Sequence, residues 1–114
     1  MTTLQFEELE ELEEKIYNES GIGVRFAEGL SVLAIDGIYG LGYEEAVQVV
    51  RVLKAEGYTE FALADSSSGL MDELFAFAEA GCKILGPVKL NQVREYGNGK
   101  TRSKKIKAIA LKIK

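Results

Sequence analysis

The apolar residues of this chain come in short runs separated by helical patterns, and that alternation restricts the folds open to it. Ser31-Val32-Leu33-Ala34-Ile35-Asp36 is a continuous strand-like run. Tyr43 to Glu56 follows, with Ala46, Val49, Val50 and Leu53 on one helical face and Gly57 as its stop. Phe61-Ala62-Leu63-Ala64-Asp65 is a second buried strand. A helix then runs from about Gly69 to Ala80, with Leu70, Leu74, Phe77 and Ala78 inward and Gly81 ending it. Lys83-Ile84-Leu85 opens a third strand. Strand and helix in this order make a βαβαβ unit, whose crossover helices bury their apolar stripes on a parallel sheet.

Both ends of the chain differ from this centre. At the N-terminus Phe6, Leu9, Leu12 and Ile16 recur at helical spacing between Glu7, Glu8, Glu10, Glu11, Glu13 and Glu14, with Thr3 as a candidate N-cap. That pattern is an amphipathic helix with an acidic outer face. Gly21 and Gly23 end it; Val24 to Ala27 alternates as a strand, and Glu28-Gly29 forms a tight turn into the next strand. At the C-terminus Val93 to Tyr96 and Lys105 to Leu111 flank Gly97-Asn98-Gly99. Asn-Gly between strand-like segments is a hairpin signal. Ile106, Ile109, Ala110 and Ile113 also fit a helical period, so the tail is read as a strand with a basic helix as the alternative. The expected fold is therefore α/β (α+β): a mixed sheet with a parallel βαβαβ centre, hairpins at both ends and an acidic N-terminal helix. A length of 114 residues corresponds to a single domain spanning 1–114.

Charge divides that domain. From Lys83 onward the chain carries ten bases and one acid, Glu95. That segment is +9 and the whole chain is −4, so residues 1–82 carry −13. An acidic body (1–82) thus adjoins a basic segment (83–114), which calls for an acidic counterpart: nucleic acid, another copy of the chain, or the chain's own acidic helix. No run of apolar residues is long enough to span a membrane, and the first residues are acidic where a secretory signal would be basic. The expected partners include no membrane, and the expected setting is cytoplasmic.

The sequence excludes much catalytic chemistry. It has no histidine, which removes Ser-His and Cys-His nucleophile pairs and His-containing zinc sites. Its single cysteine, Cys82, cannot form an internal disulfide and is read as a small buried residue. Two acids remain of interest. Asp36 ends one apolar strand, with Gly40-Leu41 and Glu44 after it; Asp65 ends the next, with Gly69-Leu70 and Glu73 at the same offsets. Parallel strands bring both acids to the edge where α/β proteins hold ligands. Gly37, Gly40 and Gly42 follow the first acid, and Ser66, Ser67, Ser68 and Gly69 the second. Their backbone N–H groups suit an anion at a helix N-terminus, and Asp36 with Asp65 suits a hard cation, magnesium or manganese. Helix capping and turn formation are the structural roles the same residues serve.

Leu33-Ala34-Ile35-Asp36-Gly37 followed by Gly42-Tyr43 resembles the first motif of Holliday-junction resolvases, in which a strand-end Asp binds metal. It differs by one residue of spacing, by lacking proline after the Asp, and by a helix where that family has a strand. The strand-acid-Gly, helix, strand-Asp order is similar to the Toprim domain of topoisomerases and primases. That family carries Glu first and Asp-x-Asp second, where this chain has Asp36 and Asp65-Ser66-Ser67. Either resemblance implies a metal-dependent phosphodiester chemistry. Gly97-Asn98-Gly99-Lys100-Thr101 resembles the end of a phosphate-binding P-loop, but Arg94 stands where its first glycine belongs and no buried strand precedes it.

The basic hairpin is the stronger feature. Lys100, Arg102, Lys104, Lys105 and Lys107 crowd together, joined by Arg94, with Tyr96 near the tip as a stacking ring. Such a ribbon tracks phosphates, although lysines on an edge strand also serve to block aggregation. The expectation is a non-enzymatic binding or regulatory module, without a cofactor, whose hairpin contacts nucleic acid or an acidic protein surface. The alternatives are a small-ligand or metal site at Asp36 and Asp65, and a homo-oligomer joined through Ile109, Leu111 and Ile113 of the last strand.

Overall fold

A computed structural model describes residues 6–38, 42–64, 70–95 and 99–114. The elements run α1 (Phe6–Ser20), β1 (Val24–Phe26), β2 (Ala34–Ile38), α2 (Tyr43–Ala55), β3 (Glu60–Ala64), α3 (Leu70–Glu79), β4 (Lys83–Glu95) and β5 (Thr101–Lys112). They build an α+β fold around one mixed sheet of strand order β1-β2-β3-β5-β4. β2 and β3 pair in parallel, with Ala34 beside Ala62 and Ile35 beside Leu63. β5 is antiparallel to both β3 and β4, so β4 runs in the same direction as β2 and β3. The βαβαβ unit therefore exists, but β5 is inserted between its second and third strands. The tail is strand, not helix.

The three helices share one face of the sheet. Leu9, Leu12 and Ile16 of α1, Ala46, Val49, Val52 and Leu53 of α2, and Ala76 and Phe77 of α3 form one cluster with Phe26, Ile35, Phe61, Leu63 and Leu111. α1 packs on β1 and α2, while α3 packs on α2, β3 and β4. Phe77 meets Phe61 edge to face at 5.0 Å, a geometry worth about 0.5–1.5 kcal/mol beyond its burial. Cys82 lies buried in the same core, and that burial raises its thiol pKa.

Among the described residues the opposite face has no helix. Its cluster is small, consisting of Ala27, Leu30, Ala34, Ala62 and Ala108, with Val88, Leu90 and Ile106 packed against it. The connection between β1 and β2 is not a tight turn at Glu28-Gly29. β2 begins only at Ala34, and the intervening residues fold across the alanine floor with Leu30 almost fully buried. They reach β4, where the Val93 N–H donates to the Gly29 carbonyl (2.8 Å) and Gln92 Nε2 donates to the Glu28 carbonyl (2.7 Å). A bulge between Ile84 and Gly86, with Gly86 at φ 125°, bends β4. The long hairpin thereby curls over the helix-free face and meets the β1–β2 connection.

Candidate nucleic-acid interface

The β4–β5 hairpin is longer than the sheet beneath it. β3 pairs with β5 only from Ala108 to Lys112, so Thr101 to Lys107 pairs with β4 alone. Its two faces differ because side chains alternate along each strand. One face carries Val88, Leu90, Ile106 and Ala108, which close over Leu30. The other face points away from that cluster and carries Lys89, Lys105 and Lys107, all exposed. Lys89 stands directly across from Lys107, and Asn91 directly across from Lys105. Like charges directly opposite each other destabilise a strand pair. Lys112 is treated differently: it too faces a lysine, Lys83, but Glu60 flanks it from β3.

Lys100, Arg102 and Lys104 are exposed on the distal part of the same hairpin. Lys104 lies across from Gln92, on the face opposite to that of Lys105. The basic residues therefore divide between the two faces, and only Lys89, Lys105 and Lys107 share the outward one. Lys89 was not among the residues expected from the sequence. Its signal was its position an even number of residues from Val93, which only the register of a full-length β4 converts into a shared face. Arg94 pairs with Arg102 along the backbone. Tyr96, expected to stack on a base, lies outside the described residues.

The acidic helix α1 lies away from this face, whereas α3, which carries Asp72, Glu73 and Glu79, packs on β4. α1 packs at the β1 end of the sheet, while the hairpin forms the other side. Lys15 of α1 pairs with Glu56 beyond α2, which raises the lysine's pKa. Glu8, Glu11, Glu14 and Glu56 surround a hollow of about 490 Å³ beside Tyr58, whose hydroxyl pKa is raised by burial and then by Glu8 and Glu56. Glu13 accepts a hydrogen bond from the Phe26 N–H at 2.9 Å. The acidic helix thus serves α2 and β1 and does not dock on the basic hairpin.

The sites expected around Asp36 and Asp65 fare differently. Asp36 lies inside β2, two residues before its end, and is exposed. The register Ile35–Leu63 sets it level with Ala64. Asp65, Ser66, Ser67, Ser68 and Gly69 lie outside the described residues, as does Gly40. Gly42 is the N-cap of α2, but its N–H donates to Glu45 Oε2 at 3.1 Å. The chain's own carboxylate thus occupies the donor that an anion would need, and Glu44 adds a second negative charge to that first turn. Among the described residues no group of three or more Asp, Glu, Cys or His side chains is gathered to hold a metal ion.

Of the residues expected to join an oligomer, Leu111 and Ile113 lie in the core, and β5 is flanked by β3 and β4 from Ala108 to Lys112. The outer edge belongs to β4, where Pro87, the bulge and Lys89 are features that discourage edge pairing.

Residues 34–113 match a family described as a domain of unknown function (DUF7698). The chain belongs to this family. The DUF7698 region begins at β2 and includes the whole basic hairpin, while α1 and β1 precede it. No curated protein and no solved structure matches the chain. No helix among the described residues is long and apolar enough to cross a membrane.

Proposed function

We propose that this protein is a non-enzymatic binding module whose β4–β5 hairpin contacts the phosphates of nucleic acid. The observation that supports this is the outward cluster of Lys89, Lys105 and Lys107. Bringing two lysines face to face costs stability, typically by some tenths of a kcal/mol and up to about 1 kcal/mol. A polyanion offsets that cost when it binds. Rigidity supports the same reading, because Gly29 and Glu28 hold β4 at Val93 and Gln92, so little ordering is required on binding. The acidic body repels a polyanion everywhere else, which confines contact to the hairpin.

The test is a titration of labelled nucleic acid at low salt, comparing the protein with a variant carrying Lys89→Ala, Lys105→Ala and Lys107→Ala. The expected result is binding that the triple variant loses while its circular dichroism stays unchanged, since exposed charges contribute little to stability. Polyglutamate serves as the competing probe. Binding of polyglutamate without binding of nucleic acid would assign the hairpin to an acidic protein surface instead.

A further inference from the structure

Resting on the nucleic-acid reading above, we propose that the partner is a duplex, gripped by the outward face of the β4–β5 ribbon through its phosphates and without regard to base sequence. Three observations carry this. Among the described residues no third strand lies beside β5 from Thr101 to Lys107, and a two-stranded ribbon is an element that the major groove of a duplex admits. The spacing of the lysines follows from strand geometry. Lys105 and Lys107 are about 7 Å apart along β5, and Lys89 stands roughly 5 Å across from Lys107. Such a compact triangle of charge needs a dense phosphate lattice. A duplex offers one charge per about 1.7 Å of axis, twice the density of either strand alone.

The composition of the face points the same way. Among the described residues it presents Lys89, Asn91, Val93, Thr101, Ser103, Lys105 and Lys107, with no aromatic ring, and Glu95 stands in register with Thr101 at its distal end. Binding of single strands depends on aromatic platforms on which bases stack. Contacts from lysines to phosphates position a duplex and carry no base sequence. From Val88 to Leu90 the apolar side of the ribbon is already occupied by Leu30 and the alanine floor, which leaves the outward face with Lys89 and Lys107 open there.

The experiment measures binding of a short mixed-sequence duplex and of each separated strand by fluorescence anisotropy, between about 50 and 200 mM salt. The duplex should bind more tightly than either strand. For three phosphate contacts the slope of log K against log salt should be about −2.7, a loss of roughly fortyfold across that range. Lys89→Ala and Lys107→Ala should each flatten the slope by about 0.9, and a duplex of different sequence should bind equally well. A strand that binds as tightly as the duplex would overturn this inference while leaving the nucleic-acid reading standing. Failure of both duplex and strand to bind would overturn the two together.

Discussion

Three residues show what local chemistry demands of this fold. Gly29 sits at φ 77°, and a Cβ there would lie 2.2 Å from the Val93 carbonyl oxygen. Gly86 also has positive φ, but a Cβ would meet nothing within 4 Å. Gly86→Ala should therefore cost only backbone strain, about 1–3 kcal/mol. Gly29→Ala should cost clearly more, because it also breaks the contact of the β1–β2 connection with β4. Urea unfolding of the two variants separates strain from clash, and equal losses would contradict the contact. Glu13 gives a second case. A register shift at Arg25 and Phe26 interrupts the β1–β2 ladder, and Glu13 accepts the Phe26 N–H. Glu13→Ala should destabilise by about 1–3 kcal/mol through the unmade bond, whereas the neighbouring Glu14→Ala should be nearly silent. The sequence marked both only as members of an acidic helix face, because the bulge that distinguishes them is a tertiary event.

Cys82 sets a pH dependence. Burial raises its pKa in the folded state, so the native protein holds that proton more tightly than the unfolded chain. The resulting stability is fully present below the ordinary thiol value of about 8.5. It is lost as pH rises from there through the folded value. Tyr58, also raised mainly by burial, acts in the same direction from about pH 10. The urea midpoint should fall as pH rises through this alkaline window. Cys82→Ala should flatten the earlier part of that fall, and an unchanged profile in this variant would show that the thiol is not the cause. The buried state of this residue was legible in the sequence from its place between a helix stop and an apolar run.

At the scale of elements, the hairpin and the helices were not equally legible. Periodicity located α2 and α3 to within a residue or so, because their apolar stripes and the glycines that follow are local signals. The tail was ambiguous because Ile106, Ile109 and Ile113 satisfy two periods. The structure decides for strand because Leu111 pairs with Phe61 and Ile84 on either side. The merging of Lys83-Ile84-Leu85 and Val93 to Glu95 into one continuous β4 is also non-local, since it depends on β5 lying alongside the full length. Asp36 and Asp65 were singled out by their symmetric placement after apolar runs, but β2 continues past Asp36 to Ile38. The hairpin yields a prediction in which fold and function diverge. Lys107→Glu replaces a like-charge pair with an attractive one across from Lys89. It should stabilise the protein by a few tenths of a kcal/mol and weaken nucleic-acid binding. Parallel losses of stability and binding would show instead that Lys107 supports the fold.

Across the whole molecule, charge is arranged by topology. The first element, α1, is acidic and the last, β5, is basic, and β5 enters the sheet between β3 and β4 instead of beside β1. That insertion carries the basic segment away from α1, which packs against β1 and α2. The sorting of charge was plain in the sequence. Its separation in space was not, because it depends on which strand β5 joins. The central claim is that the outward face of β4–β5 is the working surface, and nuclear magnetic resonance of backbone amides during titration with a short duplex tests it most directly. The predicted result is that shifts and broadening concentrate at residues 88–91 and 103–108 and fade as salt is raised, with α1 and α2 unchanged. Perturbations centred on the start of α2 or on α1, or a spectrum unaltered by excess duplex at low salt, would contradict it.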